Sequence, residues 1–280
     1  MANQGEKDGS IPYAIAHASY MDKEVKRLDE MHNGYKEYLD GKLSLAPLEE
    51  LKPTAILELG TGSGLWAIQA AMDFPDAEVT AVDLRPLPAS REIPPNMHVR
   101  LLNVLEPLPF PECHFDIIHA RLFFMHIPEA AQVIKRITKH LKPGGWLLLE
   151  DLDFELFDLS ELGLGSATKE WTDLYNNTMK VRGVEDVIQV YPDALKASGD
   201  YSEVNIKRIT FDISGKGDDF KSQKLGLAFR WSLTRVSEVM ADQDIPDFTH
   251  ELAAKYKEEL WDPRRNIISY VVFTWAKKQL

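Results

Sequence analysis

Between Ile56 and Asp83 an apolar run ends in Glu58-Leu59-Gly60-Thr61-Gly62-Ser63-Gly64, and a second apolar run ends in Asp83. A buried strand that runs into a glycine-rich turn and then a helix places bare backbone and a helix N-terminus where an adenosyl group can come close. An acidic residue about twenty positions further on suits a ribose diol. The segment therefore predicts a nucleotide-type cofactor site in an α/β chain.

The rest of the chain agrees with that class. Charged residues interleaved with Val25, Leu28, Met31, Tyr35 and Tyr38 at three- and four-residue steps predict an amphipathic helix over Met21 to Leu39. Short apolar runs predict strands at Thr54 to Leu59, Ala77 to Val82, Val99 to Leu102, Phe115 to Ala120 and Trp146 to Glu150. Helices are expected at Gly64 to Phe74 and from Pro128, the second ended by Pro143-Gly144-Gly145. This alternation implies a parallel, doubly wound sheet. Beyond Asp151 the pattern predicts helices at Thr168 to Val181 and Tyr191 to Ser198, then strands at Ser202 to Ile213 and Ile267 to Thr274. Between those strands lies an acidic helical stretch from Asp218 to Trp261.

Composition narrows the function classes. With 280 residues, 44% hydrophobic, the chain can bury a large core without staples, and its single cysteine, Cys113, rules out a disulfide framework. Forty-four acidic against 32 basic residues give a net charge of −12, which opposes binding to nucleic acid. Neither a signal-like start nor a membrane-length apolar run is present, so a cytoplasmic location is expected, with a nuclear one open. No Cys/His cluster has metal-ligand spacing, so no metal is expected.

The glycine turn alone leaves the cofactor open, because Gly62-Ser63-Gly64-Leu65-Trp66-Ala67 also satisfies a dinucleotide fingerprint and would suit a nicotinamide-dependent oxidoreductase. Its neighbours decide otherwise. The strand-end Glu58, the later Asp83, the Asn103 to Phe110 segment before a Phe-Asp strand, and Leu141-Lys142-Pro143-Gly144-Gly145 together resemble the class I S-adenosylmethionine-dependent methyltransferases. More narrowly, Arg27-Leu28-Asp29-Glu30-Met31-His32 and Leu43-Ser44-Leu45-Ala46-Pro47 are similar to the N-terminal segment of fungal LaeA-like methyltransferases.

That resemblance implies a Rossmann-like, seven-stranded, mostly parallel sheet with helices on both faces. Residues 1–50 would form an N-terminal tail and helical lid, and residues 51–280 the methyltransferase domain. Within that domain the cofactor-binding core would span about 53–151, and acceptor-side elements about 152–265. It also implies methyl transfer from S-adenosylmethionine to a small organic acceptor, at oxygen in preference to nitrogen or sulfur. Alternatives are a LaeA-like regulator that binds the cofactor and a protein partner, or a methyltransferase scaffold recruited to other chemistry. The oligomeric state stays open.

Gly60, Thr61, Gly62 and Gly64 would let backbone approach the cofactor, and Glu58 would fix the loop or accept from the cofactor ammonium. Asp83 with Leu84 would meet the ribose side. By resemblance, Asn103 and Val104 flank the adenine, although Asn103 stands where an acidic residue is common. Arg121 would lie beside the cofactor carboxylate or pair with an acid, and Tyr20, with His17 and His32, would belong to the lid. His119, His126 and Asp151, with Glu150 and Asp153, fall at or after strand ends that face the ligand crevice and are the candidates for a general base, His119 also for cofactor contact. Trp171, Tyr175, Met179, Phe229 and Trp231 would line an acceptor pocket or belong to the core. The acidic run Asp247 to Glu259 reads as a solvated helix face.

Overall fold

The computed structural model describes residues 21–216, 219–243 and 245–280. The expected contacts of His17 and Tyr20, and the start of the acidic stretch at Asp218, lie outside these residues.

Seven strands form one sheet: β1 (Ala55–Leu59), β2 (Glu78–Asp83), β3 (Met97–Leu101), β4 (Phe115–Arg121), β5 (Leu141–Asp158), β6 (Tyr201–Asp212) and β7 (Ile267–Lys278). Their order is β3-β2-β1-β4-β5-β7-β6, and β7 runs antiparallel to both neighbours while β1 to β5 are mutually parallel. All five residues of β1 are buried, as a strand needs when both faces of a parallel sheet are covered. The doubly wound expectation holds, with β7, which follows α6 and α7, running against its two neighbours.

The α-helices among the described residues are α1 (Met21–Tyr38), α2 (Leu65–Asp73), α3 (Ala130–Ile137), α4 (Ser166–Val181), α5 (Val187–Ser198), α6 (Phe220–Asp242) and α7 (His250–Trp261). Alternate residues along β1 and β4 divide between the two faces. Ile56 and Ile117 pack with Trp66, Ala67, Ala70 and Ala71 of α2 on one face. Leu57 and Ile118 pack with Val133, Ile134 and Ile137 of α3 and Tyr191 of α5 on the other. The small residues of α2 let it lie close on the sheet. A Cβ on Gly34 of α1 would stand 3.1 Å from Ala228 Cβ of α6, so these two helices also cross in close contact.

Three expectations need correction. Strand β5 continues to Asp158 instead of ending at Glu150, because antiparallel pairing with β7 keeps it extended as far as Asp158↔Ile267. Pro143-Gly144-Gly145 does not stop a helix. Helix α3 ends at Ile137, a 3₁₀ turn follows at Thr138–His140, and the glycines form a bulge within β5, where Asp116 of β4 faces Lys142 to Gly145. The Asp116 carboxylate closes that bulge by accepting from Thr54 N at 2.8 Å, Ala55 N at 3.0 Å and Lys142 Nζ at 2.8 Å. Finally, the acidic stretch is two helices. Leu252, Ala253, Tyr256 and Leu260 of α7 are buried, and Glu259 is not idle on a solvated face. Its carboxylate accepts from Ala167 N at 3.2 Å and from Thr168 N and Oγ1 at 2.7 Å, capping α4.

Candidate active site

The C-terminal ends of β1, β2 and β4, with Glu150 inside β5, come together beneath α1. Gly60, Gly62 and Gly64 have φ of 67°, 55° and 88°, values that glycine alone adopts without strain. The turn is held by Gly60 N and Thr61 N, which donate to Val82 O at 2.9 and 3.1 Å. Asp83 Oδ2 accepts from Gly62 N at 2.8 Å and Oδ1 from Arg85 N at 3.1 Å, so this carboxylate fixes the turn and the loop after β2. Burial raises its pKa. Leu84, next to it, is 61% exposed and apolar. Gly64 caps α2 in the left-handed conformation with no side-chain bond, which leaves the first amides of α2 directed at the strand ends.

Across the sheet runs a buried polar ladder. Glu58 of β1 is in register with His119 of β4, and Arg121 of β4 with Glu150 of β5. His119 Nδ1 is hydrogen-bonded to Glu58 Oε2, its Nε2 stands 3.9 Å from Glu150 Oε2, and Arg121 Nε donates to Glu150 Oε2 at 2.5 Å. Burial disfavours the charged imidazole, but the carboxylates of Glu58 and Glu150 outweigh it and raise the His119 pKa. Glu150 goes the other way. Burial opposes its charge, yet Arg121 and His119 hold it ionised.

The ladder is roofed by aromatic side chains. Trp66 of α2 stacks on His119 and donates Nε1 to Leu43 O at 3.1 Å. The Arg121 guanidinium lies 4.2 Å from the Tyr35 ring centroid and donates to the same Leu43 carbonyl at 3.2 Å. Neither Trp66, Tyr35 nor Leu43 was a sequence candidate. The alternation that places His119 and Arg121 on the α2 face is a signal that points to Trp66, whereas the Leu43 carbonyl has no signature in the sequence.

The remaining candidates divide. Asp151 is not at a strand end: because β5 runs on to Asp158, it is buried within the strand, where Oδ2 accepts from Tyr191 OH at 3.1 Å, and burial lifts its pKa to about 7. His126 closes a 3₁₀ turn after β4, and its Nδ1 is 3.5 Å from Tyr175 OH. Burial, with Arg27 nearby, lowers its pKa to about 4, so it is neutral at pH 7. His32, placed by sequence in the lid, is a half-buried residue of α1. Burial, with Arg121 nearby, lowers its pKa to about 3.

Asn103 is exposed, and its Oδ1 accepts from Leu105 N at 3.0 Å within its own loop. Val104 is buried in the core, its carbonyl accepting from Arg136 Nη2 at 2.5 Å. Trp171, Tyr175 and Phe229 are core, while Trp231 is 59% exposed and packs edge-on against Trp261, away from the strand ends. Among the described residues no cluster could hold a metal ion and no helix is long and apolar enough to cross a membrane.

Residues 31–195 match a family described as a methyltransferase domain, more than half of the chain. A methyltransferase of Strobilurus tenacellus is 42% identical over 204 residues, which cover 72% of this chain and 71% of that protein. The chain belongs to the methyltransferase domain family. A secondary metabolism regulator of Coprinopsis cinerea is 28% identical over 180 residues, covering 60% of this chain and 45% of that protein. The fold is shared with a Haemonchus contortus phosphoethanolamine N-methyltransferase solved with phosphomonomethylethanolamine and S-adenosylhomocysteine, at TM-score 0.57 and 17% identity over 95% of this chain and 60% of that one.

This methyltransferase therefore uses S-adenosylmethionine, and the nicotinamide alternative falls with the family match. Its residues fit the cofactor. Thr61 Oγ1, His119 Nε2 and Glu150 Oε1 are buried without a hydrogen-bond partner among the described residues, so polar atoms stand ready around the turn. A Cβ on Gly60 would overlap the Phe123 ring, which shows how little space the turn leaves.

Proposed function

We propose that this methyltransferase methylates an oxygen atom of a small organic acceptor of secondary metabolism. The observation that carries the choice of oxygen is Asp151, a carboxyl buried within β5 next to Glu150 and bonded to Tyr191, whose pKa of about 7 suits the removal of a hydroxyl proton. When bound, S-adenosylmethionine supplies an electrophilic methyl on a sulfonium, and the rest is alignment.

The glycine turn, Asp83 and the α2 amides would hold the cofactor, with Glu58 and Arg121 at its amino-acid end. Helix α1 would keep water from the strand ends. Asp151 would take the proton of an acceptor hydroxyl. His119, with its imidazole enclosed by two carboxylates and an indole, would position Glu58 and Glu150 and not touch the acceptor.

The test is incubation with S-adenosylmethionine labelled at the methyl group, together with a panel of phenols and carboxylic acids and with cell protein. Label in an ether or ester supports the reading; label confined to protein overturns it. The second outcome would favour the regulator reading, which the likeness to the Coprinopsis cinerea protein motivates.

A further inference from the structure

Each glycine of the turn meets a side chain from a different element. Phe123, just after β4, lies against Gly60, Leu28 of α1 would be 3.1 Å from a Cβ on Gly62, and Leu87 of the loop after β2 would be 3.0 Å from one on Gly64. Two of these three elements are joined to each other. Arg91 Nη2, in the same loop as Leu87, donates to both oxygens of Asp29, the residue after Leu28, at 2.8 Å each.

The contacts close a ring around the approach to β1 and β2. From Gly62 the ring passes by hydrogen bond to Asp83, along the chain to Arg91, by ion pair to Asp29, and through Leu28 back to Gly62. Every other link is covalent, apolar or part of the turn itself, so the Arg91–Asp29 pair is the ring's polar fastening. At 18% and 27% side-chain exposure the pair is shielded enough to matter, unlike a fully solvated surface pair. It uses one guanidinium nitrogen and not the two-nitrogen fork, which makes it releasable.

We propose that Asp29 and Arg91 are positioning residues of the cofactor site, a clasp that fastens α1 to the loop after β2 and governs passage of the S-adenosyl ligand over the glycine turn. The clasp rests on the cofactor reading above and deepens it. It also gives a role to the Arg27-Leu28-Asp29 motif: Leu28 covers the turn, Asp29 fastens the cover, and Arg27 donates to Ser232 Oγ at 2.6 Å and so anchors α1 on α6.

The experiment measures binding and release of S-adenosylhomocysteine by stopped-flow fluorescence in the wild type, Asp29→Asn, Arg91→Gln and the swapped pair Asp29→Arg with Arg91→Asp. Each single variant is expected to release the ligand about tenfold faster, the scale of one lost charge-assisted pair. The swap restores slow release, and 1 M salt speeds release from the wild type but not from Asp29→Asn. Wild-type release rates in both single variants, or a swap as fast as they are, would overturn the clasp. Hydrogen exchange without ligand tests the clasp separately, since Asp29→Asn should raise exchange in residues 23–32 and 84–95 together; unchanged exchange there also overturns it. A wild-type protein that binds no S-adenosylhomocysteine would overturn the cofactor reading and leave the clasp to the exchange result.

Discussion

His119 lies flat on Trp66, with ring centroids 3.7 Å apart and planes only 4° from parallel. The stack places an imidazole whose proton is retained by Glu58 and Glu150 over the face of an indole, a geometry that favours the cation. Because the folded pKa is raised, the stabilisation is fully present below about pH 6.5, the unfolded value, and is lost as pH rises through the folded pKa. Chemical denaturation from pH 6 to 10 should therefore show a decline that His119→Gln lacks. The variant leaves two buried carboxylates without their shared partner, and a loss of about 3–5 kcal/mol near pH 6 is expected. A flat difference between the two proteins across this range would remove the charged histidine from the account.

Gly60 cannot be replaced cheaply. Its φ of 67° costs an alanine about 1–2 kcal/mol, and the added methyl would press into the Phe123 ring. Gly60→Ala should lower the melting temperature and abolish S-adenosylhomocysteine binding by calorimetry. Phe123→Ala in the same chain would relieve the overlap but not the backbone strain, so only part of the stability should return.

Asp151 carries both a stability and a rate signature. Its raised pKa makes the protonated form part of the folded state, so its contribution is complete below about pH 4 and disappears as pH rises through about 7. Asp151→Asn should abolish that slope in thermal melts measured from pH 5 to 8. In the same variant kcat for an acceptor found in the labelled-methyl screen should fall about 10²–10⁴-fold, and the rise of rate through about pH 7 should vanish. Full activity in Asp151→Asn would dismiss it as the base while leaving the melts as a test of its burial.

The sequence shows those parts of the fold that short-range pattern controls. Strands β1 to β4 begin and end within about two residues of expectation, because each is a short apolar run bounded by glycine, proline or charge. The length of β5 is illegible, since Asp151 to Asp158 looks polar and only pairing with β7 keeps it extended. In the site, the glycine turn and Asp83 are legible from spacing. The ladder from Glu58 to Arg121 is only half so, because it depends on the lateral order of strands that lie about sixty and ninety residues apart in the chain. Asn103 and Val104 come from resemblance alone, since no spacing singles them out; in the structure Asn103 bonds within its loop and Val104 packs in the core.

Glu259 is the clearest case of a function hidden by long-range contact, and it gives the last test. Its carboxylate answers three donors at the start of α4, and a Cβ on Gly165 would collide with it, so glycine there leaves the cap its room. Helix α4 has no capping side chain of its own at Gly165, so removing Glu259 strips its first amides of their acceptor. Glu259→Ala should cost about 1–2 kcal/mol, the usual scale of a lost N-terminal cap, read as a lower urea midpoint with unchanged slope. S-adenosylhomocysteine affinity should stay at the wild-type value, because the cap joins α4 to α7 and does not touch the glycine turn. Weakened cofactor binding with unaltered stability would reverse that assignment and make α4 and α7 part of the cofactor's support.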